Sequence, residues 1–105
     1  MRDEPFVQIA KALADPTRLQ MLREIRAAGE LTCSGVCGCF ALSQPTISHH
    51  IKTLQEAGLI TIRREGQYHV LSVNEKVLAE FSREVAPARA GARKRAARRP
   101  AGEAR

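Results

Sequence analysis

A chain of 105 residues with 44% hydrophobic content, 4% aromatics and no Trp can build one core, and must build it from Leu, Ile, Val and Ala packed between helices. The formal charge of +6 is uneven: residues 1 to 86 carry ten Lys/Arg and ten Asp/Glu, whereas 87 to 105 carry seven basic residues against Glu103 alone. No run of 18 apolar residues and no basic stretch leading into an apolar one occurs, so the expectation is a cytoplasmic protein with reduced thiols and no membrane partner.

Phe6, Ile9, Ala10 and Leu13 recur at helical spacing and predict a first helix over Pro5 to Ala14. Asp15 then stands as N-cap with Pro16 at the first position of a second helix, which carries Leu19, Leu22 and Ile25 and stops at Gly29. After Leu31, Thr32 can cap a short third helix ending near Phe40. Gly35 and Gly38 inside it each cost about 1 kcal/mol relative to Ala, so packing must hold it. Ser43 caps a fourth helix with Pro45 in its first turn, Ile47, Ile51 and Leu54 turned inward, and Gly58 at its end. Leu59 to Arg64 and Gln67 to Val73 read as two strands flanking a tight Glu65-Gly66 turn. Asn74 caps a last helix through Val77, Leu78, Phe81 and Val85, which Pro87 terminates. The remainder, 87 to 105, lacks apolar periodicity and reads as a disordered basic tail. The fold class expected is mainly α with a small β-hairpin, in the order helix, helix, helix, helix, hairpin, helix.

Cys33 to Phe40 and Ser43 to Ala57, joined by a tight turn, have the form of a helix-turn-helix, whose second helix enters the DNA major groove. At 100° per residue Ile47, His50, Ile51 and Leu54 share its inner face, and His50 is expected to be a packed, hydrogen-bonded histidine. Gln44, Ser48, His49 and Lys52 lie on or towards the other face. Such groups suit base edges and phosphates, although any surface helix has a polar face. The hairpin strengthens the reading, because Arg63 and Arg64 precede its tip, where a wing meets the DNA backbone.

The stretches ALADPTRLQMLREI, LSQPTISHHIKTLQEAGLI and IRREGQYHVLSV resemble the arsenic-repressor (ArsR/SmtB) family over about residues 6 to 86. The resemblance implies a winged helix-turn-helix domain over 1 to 86 that binds an inverted-repeat operator in double-stranded DNA as a homodimer and is released by an inducer. It places base and phosphate contacts on Gln44, Thr46, Ser48 and His49. It also implicates the first and last helices in the dimer interface through Phe6, Ile9, Leu13, Val77, Leu78, Phe81 and Val85. These stripes would otherwise stay exposed on so small a domain.

Cys33, Val36, Cys37 and Phe40 follow i, i+3, i+4, i+7, so two cysteines share the apolar face of the third helix, while Cys39 projects about 160° from Cys37. Small cysteines can simply pack there. Three thiols in seven residues also suit a soft ion. The resemblance implies As(III) or Sb(III) as inducer, held by Cys33, Cys37 and Cys39, with no organic cofactor. The sequence departs from the related metalloid sensors in having Thr32 and Ser34 where they carry Cys-x-Cys, and only Cys37 matches their pattern. A redox switch competes, but Cβ atoms four apart on a helix are about 5 to 6 Å apart, against the ~3.8 Å a disulfide wants. A constitutive DNA binder whose cysteines only pack and a protein-docking module compete as well. The last helix has neither His nor Cys, so the interfacial zinc site of some family members is not expected. An enzyme is not expected either, since His49, His50 and His69 all fall in the fourth helix or hairpin without a nucleophile and orienting carboxylate.

Overall fold

The computed structural model describes residues 1–85; the segment expected to be a basic tail lies outside the described residues. In chain order the elements are α1 (Asp3–Leu13), α2 (Pro16–Ala28), β1 (Leu31–Thr32), α3 (Cys33–Cys39), α4 (Gln44–Glu56), β2 (Ile60–Glu65), β3 (Tyr68–Val73) and α5 (Glu75–Val85).

Local chemistry explains most boundaries. α1 begins two residues before the expected Pro5, because a proline in the first turn loses no bond: the first amide with a helical partner is that of Phe6, donating to the Arg2 carbonyl at 3.2 Å. Asp15 caps α2 by accepting from the Arg18 amide at 2.9 Å, and that bond holds its carboxyl below the usual carboxylate range. Thr32 caps α3 through the Gly35 amide, and Asn74 caps α5 through the amide of Val77. α4 ends in a Schellman arrangement: Gly58 adopts φ 81°, its amide donates to Gln55, and the Leu59 amide donates to the Leu54 carbonyl. Leu54 and Leu59 are both fully buried, the apolar contact that accompanies this cap.

The expected hairpin forms as β2 and β3, with one addition and one correction. The hairpin is part of a three-stranded antiparallel sheet in the order β1-β3-β2, because Leu31 and Thr32 pair with Leu71 and Val70. The tight turn is Gly66-Gln67 rather than Glu65-Gly66, since Glu65 pairs with Tyr68. Gly66, at φ 62°, takes the first central position, where a type II′ turn requires a left-handed residue.

Ile9, Met21, Ile25, Val36, Ile47, Leu54, Leu59, Ile60 and Leu71 form the centre of one core, to which every element except β1 and α5 contributes a buried side chain, β1 adding half-buried Leu31. α5 contributes only half-buried Val77, Leu78 and Phe81, laid against the outside of that core. Burying an aliphatic side chain of this size is worth about 1.5 to 3 kcal/mol, so the core holds α4 firmly and α5 less so.

Candidate nucleic-acid interface

Ile47, Ile51 and Leu54 anchor α4 in the core and turn its other side outward. Gln44, Thr46, Ser48, His49 and Lys52 are all exposed there, as expected. Thr46 is partly committed to the cap, its amide and hydroxyl both lying within hydrogen-bond distance of the Ser43 hydroxyl, at 3.3 and 2.8 Å. The face carries no acidic group until Glu56, so it offers donors and one ammonium to an anionic partner.

His50 is half-buried rather than part of the core. Its Nδ1 accepts from Arg18 Nη1 at 3.3 Å, because a guanidinium can only donate. The same guanidinium donates through Nε to the Ala12 carbonyl at 2.7 Å and through Nη2 to that of Lys11 at 3.4 Å. One arginine thus serves the Ala12 carbonyl, shares that of Lys11 with the Ala14 amide, and docks on α4.

The wing is more constrained than its sequence suggests. Arg63 donates to Glu30 at 2.8 Å and to Glu65 at 2.8 Å, and these carboxylates hold its guanidinium firmly protonated while Arg63 lowers the carboxyl of Glu30. Arg64 makes one long contact to the Gly66 carbonyl and is the freer cation. Tyr68, at the start of β3, is 51% exposed.

Between α3, the start of α4 and the wing tip lies an open groove of about 510 Å³, lined by Thr32, Cys33, Ser34, Cys37, Gln44, Gln67, Tyr68 and His69. Cys33 and Cys37 are half-buried, and Cys39 is exposed and outside the groove. Burial pushes the Cys33 thiol above its ordinary range, and neighbouring Cys37 adds to the shift. Among the described residues no three His, Cys, Asp or Glu side chains converge to hold a metal ion.

A helix-turn-helix domain family matches residues 13–63. An arsenical resistance operon repressor of Staphylococcus aureus is 39% identical over 73 residues, covering 70% of this chain and 69% of the relative. The transcriptional repressor SdpR of Bacillus subtilis is 36% identical over 72 residues, covering 69% of this chain and 79% of the relative. The chain belongs to the ArsR/SmtB family. It is a DNA-binding transcriptional repressor, not an enzyme. A homodimeric winged helix-turn-helix DNA-binding domain from Mycobacterium bovis, a possible ArsR-family regulator solved by NMR, superposes with a TM-score of 0.67 at 29% identity, covering 75% of this chain and 73% of that one.

The ArsR/SmtB stripe on α1 and α5 is only partly available to a partner. Ile9 is 1% exposed within one protomer and belongs to the core, which removes it from the expected interface. Phe6 and Phe81 stack with centroids 4.9 Å apart, tying α1 to α5. Leu13, Val77 and Leu78 are half-buried, while Val85 is exposed together with Val7 and Met1. Sequence reasoning missed Val7, the Arg18 bridge and the groove wall of Gln67, Tyr68 and His69. A lone tyrosine at a polar strand tip was a usable signal for the last; nothing local announced Arg18. No helix among the described residues is long and apolar enough to cross a membrane.

Proposed function

We propose that the chain acts in the cytoplasm as a two-fold dimer that grips an inverted-repeat operator, and releases it when a soft trivalent ion, arsenite or antimonite, binds the thiols of α3. α4 reads the major groove through Gln44, Thr46, Ser48, His49 and Lys52. Arg64, with Arg63 once it leaves its carboxylates, meets the flanking backbone. Phe6, Leu13, Val77, Leu78, Phe81 and Val85, joined by Val7, form the contact between protomers. Half-sites then lie about one helical turn, ~34 Å, apart.

The observation that carries this reading is the shared groove: Cys33 and Cys37, the first residue of α4 and the wing tip line one space. A ligand there meets both DNA-reading elements, and an inducer must bind the DNA-incompetent arrangement better than the competent one. Engaging Cys39 as third thiolate requires α3 to open around Gly38, which faces open space. The related arsenical resistance repressors support the choice of ion.

Anisotropy of the labelled promoter upstream of its own gene, titrated with arsenite, tests the reading. Release is expected, with Cys33→Ser and Cys37→Ser shifting it to at least tenfold higher arsenite. Release unchanged in both variants would assign the cysteines to packing.

A further inference from the structure

Arg18 and His50 meet where the corner between α1 and α2 touches the middle of α4, and their bond can exist in only one protonation state. A guanidinium donates and cannot accept, so Nδ1 of His50 must be unprotonated to receive Arg18 Nη1 at 3.3 Å. We propose that this bond makes operator recognition acid-sensitive: a proton on His50 breaks it, and α4 loses a fixed seat against α1 and α2. The inference rests on the reading of α4 as the DNA-contacting helix and adds to it a regulatory input separate from the thiols of α3.

Geometry decides which partner must yield. Arg18 is held by its Nε bond to the Ala12 carbonyl at 2.7 Å and by Nη2 to that of Lys11 at 3.4 Å, so it cannot swing clear without stranding the end of α1. Both side chains are half-buried, where water screens two like charges poorly. The nearby carboxylate of Asp15 lies in the field of both groups and accepts from the Arg18 amide at 2.9 Å. It offsets part of the repulsion but cannot restore the bond, because imidazolium and guanidinium both only donate. Further along α2, Glu24 is engaged by Gln20 and Arg26 by Glu75. The other elements packed against α4 offer no replacement. Lys11 on α1 is a further cation, and α3 has thiols as its ionisable side chains. On β2, Arg63 is engaged by Glu30 and Glu65, and Arg64 by the Gly66 carbonyl. On α4 itself the neighbouring ring is that of His49, 6.1 Å away between centroids.

Imidazole changes charge between about pH 5 and 8, so the bond is intact above that range and lost as pH falls through it. Ile47, Ile51 and Leu54 keep α4 in the core in either state, so acid shifts the helix without releasing it. Ser48 and His49, immediately before His50, carry that shift to the reading face. DNA requires one placement of this face and the free protein tolerates several; the proton therefore favours the unbound form, as linkage requires of a negative effector. Protons on His49 and His69 act oppositely and without regard to sequence, by strengthening the attraction to phosphate. The ratio of operator to non-operator affinity isolates the switch from that background.

Anisotropy of the full chain on the labelled promoter upstream of its own gene and on a shuffled duplex, at constant ionic strength from about pH 8 to about pH 6, measures this ratio. It is expected to drop about fivefold or more, the order that one lost hydrogen bond allows, and to recover when the pH is restored. His50→Gln offers Arg18 an acceptor that does not titrate and should flatten the response. Arg18→Met, which removes the bond and the repulsion together, should flatten it as well, whereas His49→Gln should keep it. His50→Lys, a permanent cation, should hold the acid ratio at every pH, with circular dichroism confirming the fold; should it unfold, His50→Gln and Arg18→Met decide alone. A wild-type ratio independent of pH, or a drop that persists in His50→Gln or in Arg18→Met, overturns the inference. The reading of α4 then still stands if Gln44→Ala and His49→Ala weaken operator binding. If those two variants bind as tightly as the wild type, that reading falls and the inference with it.

Discussion

Helices α3 and α4 are neighbours in sequence and built to opposite standards. α4 has 13 residues, a serine cap, three side chains in the core and a Schellman end closed by Leu54 and Leu59. α3 has seven residues, two of them glycine, and one buried side chain, Val36. A helix of two turns is far below the length at which helices persist in water, so α3 exists only because Thr32 caps it and the core accepts Val36, Cys33 and Cys37. The difference suits the tasks proposed above: a reader must keep its geometry, and a sensor must be able to yield. Both line one groove, so under the proposed function the weaker helix would act on the stronger one without loosening it.

Substitutions can break this contrast, and the largest effect belongs to α4. Leu54→Ala, at a fully buried site that also closes the helix end, should cost about 2 to 5 kcal/mol in urea unfolding and abolish DNA binding by loss of the fold. The reading face should behave in the opposite way. Gln44→Ala and His49→Ala should each weaken operator binding by about 1 to 3 kcal/mol with the unfolding midpoint unchanged. Equal affinity in both variants would remove α4 as the reader.

The glycines of α3 sharpen the comparison at about 1 kcal/mol. Gly38→Ala meets open space and should stabilise the domain by roughly that amount. Gly35→Ala places its Cβ 3.2 Å from both Leu31 Cδ2 and Thr32 Oγ1, so the gain is lost and thermal stability should not rise. The first variant also separates the two modes of thiol binding. A three-thiol site that unwinds α3 should need more arsenite in Gly38→Ala, whereas a two-thiol site on an intact helix should respond at the wild-type concentration. The smallest effect is expected at the wing: Glu30→Gln combined with Glu65→Gln should free Arg63 for a phosphate and steepen the slope of log K against log salt by about 0.9, as one added phosphate contact requires.

Features determined within four residues were legible in the sequence. Asp15, Thr32, Ser43 and Asn74 all cap the helices assigned to them, and Gly29 and Gly58 take the positive φ expected of helix ends. The outward placing of Gln44, Ser48, His49 and Lys52 followed from helical periodicity alone, as did the separation of Cys39 from the other two thiols, whereas Thr46 came only from the resemblance. What escaped was long-range. β1 is two residues long and exists only by pairing with residues about 39 positions later, so no local pattern marks it. Glu65-Gly66 and Gly66-Gln67 both satisfy the two-residue turn rule, and the pairing of Glu65 with Tyr68 decides between them. Ile9 lies on an apolar stripe that periodicity cannot divide between the protomer's own core and a partner. The groove drew its walls from three separate segments, which no single window contains.

In the proposed dimer, Arg18 would tie the spacing between half-sites to one side chain. Its guanidinium links the end of α1, part of the proposed contact between protomers, to His50 on α4, so together with the shared core it would help set how far the two reading faces stand apart. The proposed repressor would thereby carry a ruler for its operator. An Arg18→Met repressor would keep its base preferences within a half-site but accept inverted repeats with one base pair more or fewer between them, and selection from a library of spacers would show the tolerance as a broadened distribution.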